Sequence, residues 1–296
     1  MANTIPRSAN QFIEQQLDER ILALENELSC AVMAFSGPLL WGVDDVIRDA
    51  IEAKRTDNPS MVKLAVILTT TGGYAEVVQR IVETMRKHYN TVDFIVPNVA
   101  FSAGTIMALS GDAIHMDYYS RLGPIDPQVE NNEGHSVPAL GYLARYEALI
   151  EKAKTGTITM AEVQLLIHGF DQAELYQYEQ AKNLSITLLK AWLVKYKFKN
   201  WTITRTRHLP VTAEMRRERA EDIANQLNNT AKWHSHGRGI SMDELNQDVN
   251  LLIDDLEENK GLHGAVRAYD ALLADYMNKM GQRGVLHTKG HYTPFM

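Results

Sequence analysis

The stretch "MVKLAVILTTTGGYAEVVQRIVETMRKHYNTVDFIVPNVAFSAGTIMALSGD", Met61 to Asp112, decides the fold class of this 296-residue chain. It opens with a continuous apolar run, Leu64 to Leu68, of the kind found in strands covered on both faces. Gly72 and Gly73 end that strand. Val77, Val78, Ile81, Val82 and Met85 then recur at helical spacing. "TVDFIVPN" is the next strand, and "SAGTIMALSG" a short, almost wholly apolar helix, which is expected to be buried. Strand, helix, strand and helix in this order specify a mainly parallel sheet with right-handed crossovers.

The pattern extends outward on both sides. Asn10 to Glu27 reads as a polar, charged helix and "SCAVMAF" as a short strand. "WGVDDVIRDAIEAKR" follows as a helix, with Val43, Val46, Ile47, Ala50 and Ile51 on one face. "DAIHMDYYSRLG" holds a fourth strand of the parallel series. From Pro138 onward long helices dominate, among them "PALGYLARYEALIEKAK", "AELYQYEQAKNLSITLLKAWLVKYK" and "TAEMRRERAEDIANQLNN". The last helix is expected over Gly264–Met280, and the tail "GQRGVLHTKGHYTPFM" lacks periodicity and is expected to be loose. The expected organisation is an N-terminal helical segment (1–28), an α/β domain with helical insertions (29–250), and a C-terminal helix with its tail (251–296).

Composition narrows the function. With 45% hydrophobic and 23% charged residues the chain reads as soluble and globular. A net charge of -7 gives no reason to expect nucleic acid or an anionic membrane as partner. Cys30 stands alone, so no intrachain disulfide forms, in keeping with a reducing compartment. The start lacks the apolar core of a signal peptide, and no run approaches the ~18 apolar residues of a membrane span. A cytoplasmic location is expected. The Gly-Gly loop is neither a Walker loop nor a dinucleotide fingerprint, and no cofactor is expected. His234 and His236 form an H-x-H pair without an apparent third ligand, so no metal is expected either.

In parallel sheets, sites gather beyond the carboxyl ends of the strands. Two loops lie there: "TTTGGYAE", whose glycines let backbone N–H groups face outward, and "PNVAFSAG", which carries Ser102. Serine before a helix is a favoured cap. At a strand-to-helix turn it also presents its hydroxyl beside free N–H groups, the arrangement of an activated nucleophile and an oxyanion site. "SRLGPIDPQ" follows, with Pro124 and Pro127 bracing Ile125 and Asp126.

On these pieces, "LTTTGGYAE", "VPNVAFSAGTIMALSGDAIHMDYYSRLGPIDPQ" and, more loosely, "WHSHGRGISMDEL", the chain resembles the serine dehydrogenase proteinase family, relatives of signal peptide peptidase A in the Clp protease/crotonase superfamily. The resemblance implies a Clp/crotonase-like spiral of βαβ units with a mainly parallel sheet, plus added C-terminal helices. It also implies a serine peptidase acting on peptide or protein substrates through an acyl-enzyme, and homo-oligomers such as trimers, tetramers or rings. Ser102 is the matching nucleophile. The oxyanion donors would be the N–H of Gly73, or its neighbour Gly72, and that of Ala103. Where the family has proline before Gly-Gly, this chain has Thr71.

A serine hydroxyl needs a base. No histidine stands at the place where Clp proteases carry theirs. Relatives of signal peptide peptidase use lysine, and Lys152 and Lys154, about fifty residues after Ser102, are both candidates. Asp126, His234 and His236 are candidate substrate-groove residues. Two other readings stand beside the peptidase: a catalytically silent oligomeric scaffold, and a crotonase-like acyl-CoA enzyme using the same backbone donors without a serine nucleophile.

Overall fold

The computed structural model describes residues 8–126, 128–130, 136–233, 235 and 237–296. α1 (Ala9–Leu28) starts at Ser8, whose hydroxyl accepts the Gln11 N–H, and ends at Ser29 in the left-handed region. Then come β1 (Ala31–Ser36), α2 (Val43–Asp57), β2 (Lys63–Thr69), α3 (Ala75–His88), β3 (Thr91–Val96), β4 (Val99–Ala100), α4 (Ala103–Leu109), β5 (Ala113–Met116) and β6 (Arg121–Leu122). The next elements are β7 (Gln128–Glu130), β8 (Ser136–Pro138), α5 (Ala139–Lys154), α6 (Met160–His168), α7 (Gln172–Trp192) with a π-helical turn at Leu193–Lys197, and α8 (Ala213–Leu227). The chain ends with α9 (Thr230–Trp233), α10 (Met242–Gln247), β9 (Asp254–Asp255), α11 (Lys260–Met280), β10 (Val285–Thr288) and β11 (His291–Pro294).

One sheet organises these elements, in the order β11-β10-β1-β2-β3-β5-β9. The run from β1 to β9 is parallel, as the alternating pattern requires. Ile47, Ile81, Met107, Leu189 and Ile223 of α2, α3, α4, α7 and α8 bury one face. Leu17, Ile21 and Leu24 of α1, with Val266, Tyr269 and Leu273 of α11, bury the other. α4 is buried at every position, as its composition demands. Among the described residues no helix is long and apolar enough to cross a membrane.

The tail departs from the expectation of a loose end. Val285–Thr288 is buried throughout and pairs antiparallel with β1, and His291–Pro294 adds the edge strand. A polar network locks it. His287, fully buried, shares a 2.7 Å hydrogen bond with the Tyr269 hydroxyl through Nδ1 and a 3.1 Å contact with Asp18 through Nε2. That joins β10, α11 and α1. Burial pushes the Asp18 carboxyl up, but the His287 and Gly290 hydrogen bonds outweigh it and leave its pKa lowered.

α5, α6 and the start of α7 have a small core of their own. Leu140, Leu143, Leu175 and Tyr178 bury together, and Phe170 meets Tyr142 edge-on at 5.0 Å. α6 buries nothing, leaving Met160, Leu165 and Ile167 exposed. This helical arm is joined to the body near the carboxyl edge of the sheet.

At that edge Asp117, fully buried, accepts the N–H groups of Tyr119 and Ser120 and contacts His263 and Arg267 of α11. Nearby Asp270 is pushed up to about 6, chiefly by burial, against the pull of Arg267 and with the added repulsion of Asp117. A carboxyl that is harder to ionise when folded imposes no penalty below its ordinary 3.8 and its full penalty above about 6. Asp270→Asn is therefore expected to stabilise the protein at pH 7 by about 2–3 kcal/mol, with the gain vanishing near pH 4. Urea unfolding at both pH values checks it.

Candidate active site

The two loops at the carboxyl edge are zipped together. The Thr70 N–H donates to Val99 O at 2.9 Å and the Phe101 N–H to Thr70 O at 3.0 Å. The Thr70 hydroxyl also accepts the Gly72 N–H at 3.0 Å, closing a side-chain-to-backbone turn. This hydroxyl fixes the turn that leads into Gly-Gly, although Thr71 stands where the family has proline.

Gly72 has φ 104° and lies directly against the serine. A Cβ placed there would sit 2.7 Å from Phe101 O and 2.9 Å from Ser102 Cβ. Gly73 is held by a parallel bridge to Leu39, in which the Leu39 N–H donates to Gly72 O and the Tyr74 N–H to Leu39 O. That bridge leaves the Gly73 N–H facing away from the ladder. Among the described residues, neither the Gly73 nor the Ala103 N–H donates a backbone hydrogen bond, whereas the Gly72 N–H is engaged.

Ser102 occupies the N-cap position of α4, but its side chain caps nothing. Its φ of 54° and ψ of -118° are costly for a residue with a Cβ, on the order of 1–3 kcal/mol. The turn that imposes them points Oγ away from the helix, where it donates to Asp126 O at 3.0 Å. Ser102 is 1% exposed. A second threonine fixes the other side. Thr105 Oγ1 lies 2.7 Å from Ala100 O and 2.9 Å from Gly123 O, and it accepts the Gly123 N–H. It ties α4 to the proline-braced segment. The signal for it was present in the sequence, as the one hydroxyl inside an otherwise apolar helix.

Asp126 is buried, and its Oδ1 accepts the Leu140 N–H at the start of α5. It links Ser102, through its carbonyl, to the arm, through its carboxylate. The two candidate lysines make ion pairs of their own on the arm. Lys152 lies twelve residues beyond Leu140, roughly 18 Å along α5. Its amine pairs with Glu162 at 2.5 Å and holds that carboxyl down to about 2. Lys154 is still further along, exposed and 3.5 Å from Glu151. His234 and His236 lie outside the described residues, and among those described no group of side chains could hold a metal ion.

A strained serine packed against Gly72, on a parallel sheet with short βα turns, lies within the stretch that a family profile matches. The profile of the family described as ClpP-like SDH-type serine proteinase matches residues 42–193, just over half of the chain. The chain belongs to that family. The match spans both loops and the arm, and the fold is Clp-like α/β with added helices. Two uncharacterized proteins of Methanocaldococcus jannaschii are similar. One is 27% identical over 58% of this chain and 56% of its own length, the other 28% over 61% and 58%. The chain thus spans somewhat more than half the length of those relatives. Similar solved structures include a mutant of the 1510-N membrane-bound stomatin-specific protease in complex with a substrate peptide, at 15% identity over 90% of this chain and 85% of that one (TM-score 0.44). Another is ClpP1 from Listeria monocytogenes, at 10% identity over 84% and 98% (TM-score 0.45).

The contact at Gly72 is open to a stability test. Gly72→Ala forces a Cβ onto Phe101 O at a left-handed φ and is expected to cost at least about 1–3 kcal/mol. Gly141→Ala, in open space on α5, should instead stabilise by about 0.5–1 kcal/mol. Urea titration of both variants gives the comparison.

Proposed function

We propose that this protein is a serine peptidase in which Ser102 is the nucleophile. The observation that carries the reading is the contact between Gly72 and a strained Ser102, with the N–H groups of Gly73 and Ala103 donating no backbone hydrogen bond among the described residues. Ser102 Oγ adds to the peptide carbonyl carbon, and the carbonyl oxygen takes the negative charge, stabilised by those two N–H groups. The C–N bond breaks and the serine proton reaches the departing amine through the general base. Water then hydrolyses the ester, releasing the carboxylic acid and restoring the hydroxyl. Losing one oxyanion donor is worth ~100–1000-fold in rate.

The base in this reading is a lysine amine, Lys152 or Lys154, delivered to Ser102 of a neighbouring copy. One feature supports this: α6, on the same arm as both lysines, exposes Met160, Leu165 and Ile167 for a second copy to cover. A specific observation favours the second reading, a silent scaffold. The Ser102 hydroxyl is buried and donates to a carbonyl, an acceptor that takes up no proton.

An alkyl fluorophosphonate separates the two. Wild type should be labelled at Ser102 and Ser102→Ala not at all, whereas absence of labelling in the wild type supports the scaffold. Lys152→Ala or Lys154→Ala should slow labelling by ~100-fold or more. Mixing that variant with Ser102→Ala should restore part of the rate. If both lysine variants are labelled at the wild-type rate, the lysine base is refuted.

A further inference from the structure

Beside the Gly-Gly turn stands an aromatic pair that the mechanism does not use. Trp41 is 58% exposed, among the more exposed large apolar side chains of the described residues. Its ring lies 6.1 Å from that of Tyr74, tilted by 32°. Tyr74 directly follows Gly73, and Trp41 is two residues beyond Leu39, the partner of Gly73 in the parallel bridge. Both rings therefore sit on the two loop segments that the bridge at the proposed oxyanion donor joins. Gly72 touches Ser102, and two residues of extended chain span at most ~7 Å, so the pair begins within that distance along the backbone.

The loop that carries Trp41 is anchored at both ends. Leu39 is fully buried and bonded to both Gly72 and Tyr74. On the other side the Gly42 N–H donates to Asp44 Oδ1 at 3.1 Å, and the buried Asp44 pairs with Arg80 at 2.8 Å. An indole held in water on a fixed loop keeps apolar surface available for a ligand at little cost in ordering. An extended peptide advances ~3.3 Å per residue, so a chain reacting at Ser102 brings a side chain opposite the pair within two residues of the scissile bond.

We propose that Trp41 and Tyr74 form an apolar subsite that selects peptides with an aromatic or large aliphatic side chain within two residues of the cleaved bond. The proposal rests on Ser102 being the nucleophile. Its test uses acetyl-capped tripeptidyl diphenyl phosphonates carrying Phe or Gly at each position in turn. In these, Ser102 Oγ bonds to phosphorus and phenoxide leaves with the serine proton as phenol. The rate of labelling at Ser102 is read by mass spectrometry, with an alkyl fluorophosphonate as the reference that bypasses the subsite.

At one position Phe should be preferred over Gly by about tenfold or more in the wild type. Trp41→Ala should remove most of that preference and Trp41→Phe should keep it, with fluorophosphonate labelling unchanged in both. An unchanged Phe-to-Gly ratio in Trp41→Ala would overturn the subsite alone. So would a smaller oligomer for Trp41→Ala on size-exclusion chromatography, which would make the pair a contact between copies. Failure of the fluorophosphonate to label wild-type Ser102 would instead remove the nucleophile, and the subsite with it.

Discussion

The contact between Gly72 and Ser102 leaves no room for a side chain. Two βα turns that are separate in the sequence meet there, with the missing Cβ less than a van der Waals contact from the serine. Everything else around the site serves that approach. The parallel register of β2 and β3 brings the two turns side by side. The bridge between Thr70 and Ala100 zips them together beyond the strands. The left-handed backbone of Gly72 and the strained backbone of Ser102 are the local cost, and the buried α4 behind them carries it.

Two threonine hydroxyls and one aspartate hold this arrangement. Thr70 fixes the turn before the glycines, and Thr105 fixes α4 to Gly123. Asp126 touches the serine through its carbonyl and the first turn of α5 through its carboxylate. The serine is thereby coupled to the helical arm, so movement of the arm would be felt at the hydroxyl.

Much of the fold was legible from periodicity. β1, β2, β3 and β5, with the helices between them, appear within a few residues of their expected bounds because burial on both faces writes continuous apolar runs. The tail was not legible. "VLHT" and "HYTP" are short and partly polar, and their burial comes from α1 and α11 closing over them, with His287 paired in place of an apolar residue. Thr70 and Thr105 were missed for a related reason. A lone hydroxyl in a sequence does not say which backbone N–H or carbonyl will lie 2.7–3.0 Å away.

By itself, then, the sequence determined the parallel α/β architecture, the two loops at its carboxyl edge, and Ser102 as the candidate residue at their meeting point. These are properties of local pattern and of strand-to-helix geometry, which neighbouring residues encode. Tertiary structure alone decided which N–H groups among the described residues give no backbone hydrogen bond, where the Ser102 hydroxyl points, and that Lys152 pairs with Glu162. It also decided that Trp41 lies beside Tyr74. The physical reason is that each of these depends on contacts between segments far apart in the chain, and such contacts are set by how whole elements pack.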